Sequence, residues 1–101
     1  MDMLRFEWDE NKNTINKTKH GISFEEASSV FYSDDAIVFD DPDHSTLKEE
    51  RFLIIGYSNK ANCLTVAHCL RENETVIRII SARKSTRSER DEYLKLRGEH
   101  L

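Results

Sequence analysis

The order of apolar and polar positions along the chain predicts a β-α-α-β-β-β-β-α succession of elements. Leu4-Arg5-Phe6-Glu7-Trp8 alternates apolar and polar side chains, the pattern of a half-buried strand. Asp9 follows where its carboxylate can accept from the orphan N–H groups of a helix running from about Glu10 to Lys19. Gly21 suits the left-handed residue that ends such a helix, and Lys17, Lys19 and His20 complement the negative end of its dipole. Ile15 is its main apolar residue, so it is expected on the surface. Ser23 and Glu26 have the spacing of a capping box, in which the serine caps and the glutamate reaches back. Phe24, Ala27, Val30 and Phe31 then form the stripe of a second helix ending near Tyr32. Ala36 to Phe39 reads as a short strand and the stretch Asp40 to Leu47, DDPDHSTL, as a loop. Glu50–Ser58, Cys63–Leu70 and Thr75–Ala82 predict three more strands, joined by turns at 59–62 and 71–74. Thr86 and Glu89 form a second capping box opening a helix to about Leu96. Consecutive strands joined by tight turns imply an antiparallel meander. The class is therefore α+β: a small antiparallel sheet with two N-terminal helices and one C-terminal helix.

Composition narrows this only slightly. The 101 residues suggest one domain, 1–101, with one core. A charged fraction of 34% and a hydrophobic fraction of 38% fit a soluble globular chain. The longest nearly apolar stretch, Phe52 to Tyr57, is far too short for a membrane span, which needs about 20 residues. The first residues, MDMLRFEWDE, contain no apolar signal segment, so a cytoplasmic location is expected. One proline and three glycines mark no linker, and no repeat is visible. Cys63 and Cys69 are too few for a disulfide framework. In one regular strand they would stand roughly 20 Å apart, beyond disulfide reach. They read as two small buried thiols.

Charge is distributed unevenly. Residues 1–50 hold 5 basic and 13 acidic side chains, residues 51–101 hold 10 basic and 6 acidic, and the total is −4. That total argues against a non-specific nucleic-acid binder but leaves room for a local basic site. The stretch Arg78 to Arg97, with 7 basic and 3 acidic groups, is where such a site would form.

Several blocks carry a family resemblance. They are Arg5-Phe6-Glu7-Trp8-Asp9, the run Lys19 to Ala27 (KHGISFEEA), Asp43-His44-Ser45, Glu49-Glu50-Arg51-Phe52, Ile55-Gly56-Tyr57-Ser58, the run Ile77 to Arg83 (IRIISAR), and Lys84 to Arg90 with Tyr93. In this order and spacing the chain resembles the BrnT toxins from about Arg5 to Tyr93. The runs Ile77–Arg83 and Lys19–Ala27 are the most specific. The resemblance implies a fold similar to RelE-type ribonuclease toxins and membership of a type II toxin–antitoxin pair. It also implies an RNA-cleaving activity that stops translation. The implied partner is a BrnA-like antitoxin with a ribbon-helix-helix DNA-binding part, through which the complex would reach operator DNA. Ribbon-helix-helix parts dimerise, so a heterotetramer is expected, with no membrane involvement.

The residues themselves must supply the chemistry. RNA can be cleaved without metal when its 2′-hydroxyl attacks the adjacent phosphate. Such a site needs a cation at the phosphate oxygens, a base for the hydroxyl and an acid for the leaving 5′-oxygen. Arginine fits the first role, because its planar fork is always charged and matches two phosphate oxygens. Arg78 and Arg83 are the candidates, Arg83 lying just before a helix N-terminus, a place that favours phosphate. Regular alternation puts Arg78 on one strand face with Val76, Ile80 and Ala82, and Ser81 and Arg83 on the other. The bland alternative for Arg78 is an ion pair with an acidic residue of a neighbouring element. His68 is the candidate proton carrier, since histidine titrates near neutrality. Sharing a face with Leu64 and Val66, it reads otherwise as a satisfied, half-buried histidine. Tyr93 could stack on a base or donate a proton, or could pack on the sheet. Lys84, Arg87 and Arg51 are candidate substrate contacts, with solvated faces or local ion pairs as the alternative. His20 reads as a helix-terminal cation, and His44 receives no role beyond possible substrate contact. No metal or cofactor is expected: His20, His44, His68 and His100 lack paired spacing, the cysteines lack CxxC spacing, and the acidic loop 40–43 lacks calcium-loop spacing.

Two other function classes compete with a metal-independent endoribonuclease. One is a catalytically inactive corepressor acting with its antitoxin, distinguished by the absence of RNA cleavage in EDTA. The other is a nucleic-acid binder without chemistry, disfavoured by the net charge and by the lack of paired aromatics.

Overall fold

A computed structural model of the chain describes residues 3–98. Its helices begin and end where local capping dictates. Asp9 accepts from the Lys12 N–H at 3.1 Å to open α1 (Glu10–His20), and Gly21 closes it at φ +72° with its N–H on the Lys17 carbonyl. Ser23 accepts from the Glu26 N–H to open α2 (Phe24–Ser29), which continues into one 3-10 turn, Val30–Tyr32. The reciprocal half of that capping box is not made. Glu26 is buried and accepts instead from Ser58 Oγ at 2.6 Å and Asn62 Nδ2 at 2.8 Å, tying α2 to a distant turn. The second box is complete: Thr86 and Glu89 bond each other's N–H groups, at 2.8 and 3.1 Å, ahead of α3 (Arg87–Gly98).

Five strands form one sheet: β1 (Arg5–Glu7), β2 (Ile37–Asp40), β3 (Arg51–Tyr57), β4 (Cys63–Arg71) and β5 (Val76–Lys84). Their spatial order is β1-β5-β4-β3-β2. The meander β2 to β5 is antiparallel as the turns predict. β1 instead lies parallel beside β5, with Glu7 opposite Arg78, so the sheet is mixed. These two residues are 71 apart in sequence, and no tight turn constrains the direction of their pairing.

A second departure shapes the site. The β4–β5 register runs from Leu64 opposite Lys84 to Ala67 opposite Ser81, then jumps to His68 opposite Ile79. Ile80 is left over as a bulge, which reverses the facing of the residues before it. Arg78 opposite Cys69 and Arg83 opposite Thr65 therefore share one face of the sheet, contrary to regular alternation.

The two faces are covered differently. α1 and α2 lie on one, where Ile22, Phe24, Ala27 and Val30 pack against Ile54, Leu64, Val66, Ile79 and Ala82. α3 crosses one end of the other, burying Tyr93 against Tyr57. At Gly56 a Cβ would lie 2.9 Å from the Ala36 Cβ and 3.2 Å from its Cα, so bare backbone is needed there. α1 does not attach through Ile15, which is 62% exposed, but through the buried Asn13 and Asn16. Beyond Arg78, β5 has no strand on its β1 side. Asn16 fills the gap: its Nδ2 donates to the Ala82 and Ile22 carbonyls at 2.7 and 2.8 Å, and its Oδ1 accepts from the Ala82 N–H. Cys63 and Cys69 both lie in β4 as free thiols. Among the described residues, no helix is long and apolar enough to cross a membrane.

Candidate active site

The sheet face that α3 leaves open holds a cavity of about 230 Å³. Leu53, Ala67 and Ile80 contribute its apolar lining, and Asp41, His44, Arg51, Thr65, Ser81 and Arg83 its polar side. Strand pairing explains the arrangement. Arg51 stands opposite Cys69 and Arg83 opposite Thr65, so the two arginines sit on strands flanking β4. They are four β4 positions apart, roughly 13 Å along the strand.

Each arginine is held by a carboxylate from outside the cavity. Glu89 grips Arg83 with two oxygens, at 2.6 and 2.9 Å, while also accepting from the Thr86 N–H and from Thr65 Oγ1. These bonds, the Arg83 fork foremost, hold the Glu89 carboxyl down at about 2. The same bidentate contact raises the pKa of Arg83, so its charge is permanent. Arg51 Nε donates to Glu49 at 2.9 Å, and Arg71 contacts the other oxygen of Glu49 at 3.5 Å.

The cavity wall facing these cations comes from the loop before β3. Pro42–His44 forms a single 3-10 turn. Residues three apart eclipse in such a turn, which sets Asp41 and His44 side by side. Both Asp41 oxygens lie 3.0–3.1 Å from His44 Nδ1. A carboxylate can only accept, so Nδ1 is the donor of this pair and Nε2 is the ring nitrogen turned away from it. Ser45 anchors the turn, its hydroxyl donating to the Asp41 carbonyl and accepting from the Arg51 N–H. Two arginines and an oriented imidazole thus share one cavity, which can supply the cation and the base of phosphodiester transfer but, among the described residues, no second side chain to act as the acid.

The structure gathers only some of the residues singled out from sequence. Arg83 and Arg51 line the cavity. Arg78 is on the same face but outside the lining, and its guanidinium pairs with Glu7 at 2.9 Å, the ion pair considered as its alternative. His68 does not join them. It lies on the opposite face, 4% exposed, with its ring edge-on to Phe31 at 4.8 Å and against Phe52 at 5.8 Å. Burial pushes its pKa down. Tyr93 does not join them either: it is fully buried on the inner side of α3, with no hydrogen-bond partner for its hydroxyl among the described residues, and burial raises its pKa. Lys84 is exposed opposite Leu64, on the helix-bearing side, and Arg87 is exposed on α3, away from the cavity. His44, left at possible substrate contact from sequence, lines the cavity, and its pairing with Asp41 is what the sequence reading missed. The available signal was Asp-Pro-Asp-His, a proline-started turn with an acid three residues before a histidine. No group of three or more histidine, cysteine or acidic side chains placed to hold a metal occurs among the described residues. His100 lies outside them.

Comparison with known proteins gives this geometry a context. Residues 8–89 match the family described as "Ribonuclease toxin, BrnT, of type II toxin-antitoxin system". The fold is similar to that of the Brucella abortus ribonuclease toxin BrnT, known from a crystal structure at 1.1 Å resolution. The TM-score is 0.62 at 23% identity, covering 84% of this chain and 100% of that one. No curated protein matches the sequence significantly. The family match spans both the loop that carries His44 and the strand that carries Arg83, and with it the chain belongs to the BrnT ribonuclease toxins of type II toxin–antitoxin systems.

Proposed function

We propose that the chain is a metal-independent endoribonuclease whose active centre is the cavity between Arg51, Arg83 and the Asp41–His44 pair. The observation that carries this reading is the convergence of both arginines with an imidazole whose Nδ1 is bound to a carboxylate. His44 Nε2 takes the proton of an RNA 2′-hydroxyl as its oxygen bonds to the adjacent phosphorus. Arg83 faces the charge that gathers on the phosphorus oxygens, and Arg51 holds the backbone at a neighbouring position. The bond to the 5′-oxygen breaks, leaving a 2′,3′-cyclic phosphate and a 5′-hydroxyl. The leaving oxygen takes a proton from water, and the proton held on His44 Nε2 passes to the hydroxide so formed, the His44 side chain being 67% exposed. Arg78, on the same sheet face as the cavity, lies along the path of a longer RNA, whereas Lys84 on the opposite face and Arg87 on α3 do not.

In the cell the reading is of a cytoplasmic toxin that inhibits translation. A BrnA-like antitoxin with a ribbon-helix-helix part silences it in a heterotetramer and brings operator DNA to the complex. Expression of the chain alone tests this. Arrested growth with fragmented RNA, relieved by Arg83→Ala, by His44→Ala and by co-expression of the antitoxin, supports the reading. Arrest that persists in both folded variants removes the site from it.

A further inference from the structure

The helix layer leaves part of its sheet face open. α1 and α2 pack over the end marked by Ile54, Leu64, Val66, Ile79 and Ala82. At the other end Phe31, Val38, Phe52, His68, Leu70 and Ile77 line an apolar groove of about 230 Å³. Val38 is 55% exposed and Leu70 37%. Phe6 and Tyr32 continue the apolar surface beyond Phe31. Below the roughly 300 Å³ of a small-molecule site, such a groove suits the anchoring side chains of a protein partner. With Val38, Leu70 and Tyr32 exposed around it, the groove offers apolar side chains to a partner.

The rim identifies the chemistry of the occupant. Asp40 stands opposite Phe52 in the β2–β3 register, and Glu50 precedes Phe52 by two residues. An adjoining depression shares Phe52 and Leu70 with the groove and is lined further by Lys48, Glu49, Glu50, Arg71 and Glu74. Glu49 is committed to Arg51 and Arg71. Among the described residues no ion pair engages Asp40, Glu50 or Glu74, and Lys48 is the one cation of that depression not held by a carboxylate. Uncompensated carboxylates around an apolar groove complement a segment with apolar anchors between lysines or arginines. Such a segment is mismatched to the arginine-lined cavity on the other face.

We infer that this groove is the docking site of the antitoxin, through an apolar segment flanked by basic residues. The inference rests on membership of a toxin–antitoxin family and leaves the catalytic assignment free to fail separately, because its test reads binding. The affinity of the purified antitoxin is measured by calorimetry for the wild type, for Val38→Arg with Leu70→Arg, and for Asp40→Lys with Glu50→Lys. All four substituted positions are exposed, and thermal unfolding checks that each variant is folded. The arginine pair weakens binding at least 100-fold. The charge reversal weakens it at least tenfold in low salt and less in high salt, while RNA cleavage by the free variants stays within twofold of the wild type. Undiminished affinity in both variants overturns the inference. So does antitoxin binding that is lost only in Arg51→Ala or Arg83→Ala, or an arginine pair that abolishes self-association of the chain and leaves antitoxin affinity intact.

Discussion

Glu89 is where charge, helix capping and the candidate active site meet, and Glu89→Gln isolates its charge. Glutamine keeps the shape and can still accept from the Thr86 N–H, so the helix cap survives. What is lost is the carboxylate under the Arg83 fork. The folded-state pKa of about 2 lies well below the ordinary 4.5. At about 1.36 kcal/mol per unit, that depression sets an upper bound of about 3.4 kcal/mol on the stability it contributes. Arg83 is 39% exposed, and solvent screening reduces the figure to about 1.5–2 kcal/mol. For a domain of this size the variant should melt about 6–10 °C lower at pH 7. Because the folded pKa is depressed, the contribution is complete above 4.5 and is lost as pH falls from there toward 2. The gap in melting temperature should therefore close over that window. Thermal unfolding by circular dichroism at pH 7, 5, 4 and 3 measures it. A gap of the same size at pH 7 and pH 3 would falsify the ionic account of this contact.

Other sites make sharper demands on single residues. Burial lowers the folded pKa of His68, so the unfolded chain binds a proton that the folded one refuses. Stability should fall as pH drops below about 6.5, by at most about 1.4 kcal/mol per pH unit, and His68→Leu should remove that slope in urea titrations at pH 7, 6 and 5. Asn16→Ala strands the Ala82 N–H and carbonyl at the bare edge of β5, at a cost of about 2–4 kcal/mol in chemical denaturation. A cost below 0.5 kcal/mol would mean that the edge finds other partners. Gly56→Ala pushes a methyl against Ala36 and should cost about 1–3 kcal/mol by the same assay.

Local order was legible in the sequence wherever a short-range rule applied. Asp9, Gly21, Ser23 and the Thr86–Glu89 box mark helix ends because caps are chemistry between near neighbours. Turns at 59–62 and 71–74 fix an antiparallel meander for the same reason. Pairings across long separations were not legible. Nothing near Arg5–Glu7 specifies a parallel partner on β5, and nothing in VIRIISARK singles out Ile80 as the bulge. That one extra residue decides that Arg78 and Arg83 share a face. His68 was placed correctly among Leu64 and Val66, yet which face bore the site depended on where the helices packed. Glu26 and Asn16 escaped because their partners, Ser58 and Ala82, lie far along the chain. The family resemblance rested on blocks rather than on roles: it took in both Arg83 and His44, and only the chemistry of a phosphate site singled out Arg83, while His44 was left at possible substrate contact.

The most direct test of the account is incubation of purified chain with RNA in EDTA, beside Arg83→Ala and His44→Ala, followed by analysis of the product ends. The account predicts fragments with 2′,3′-cyclic phosphate and 5′-hydroxyl ends from the wild type, and at least a hundredfold less cleavage from either folded variant. Cleavage that vanishes in EDTA, or that persists at the wild-type rate in both variants, contradicts it.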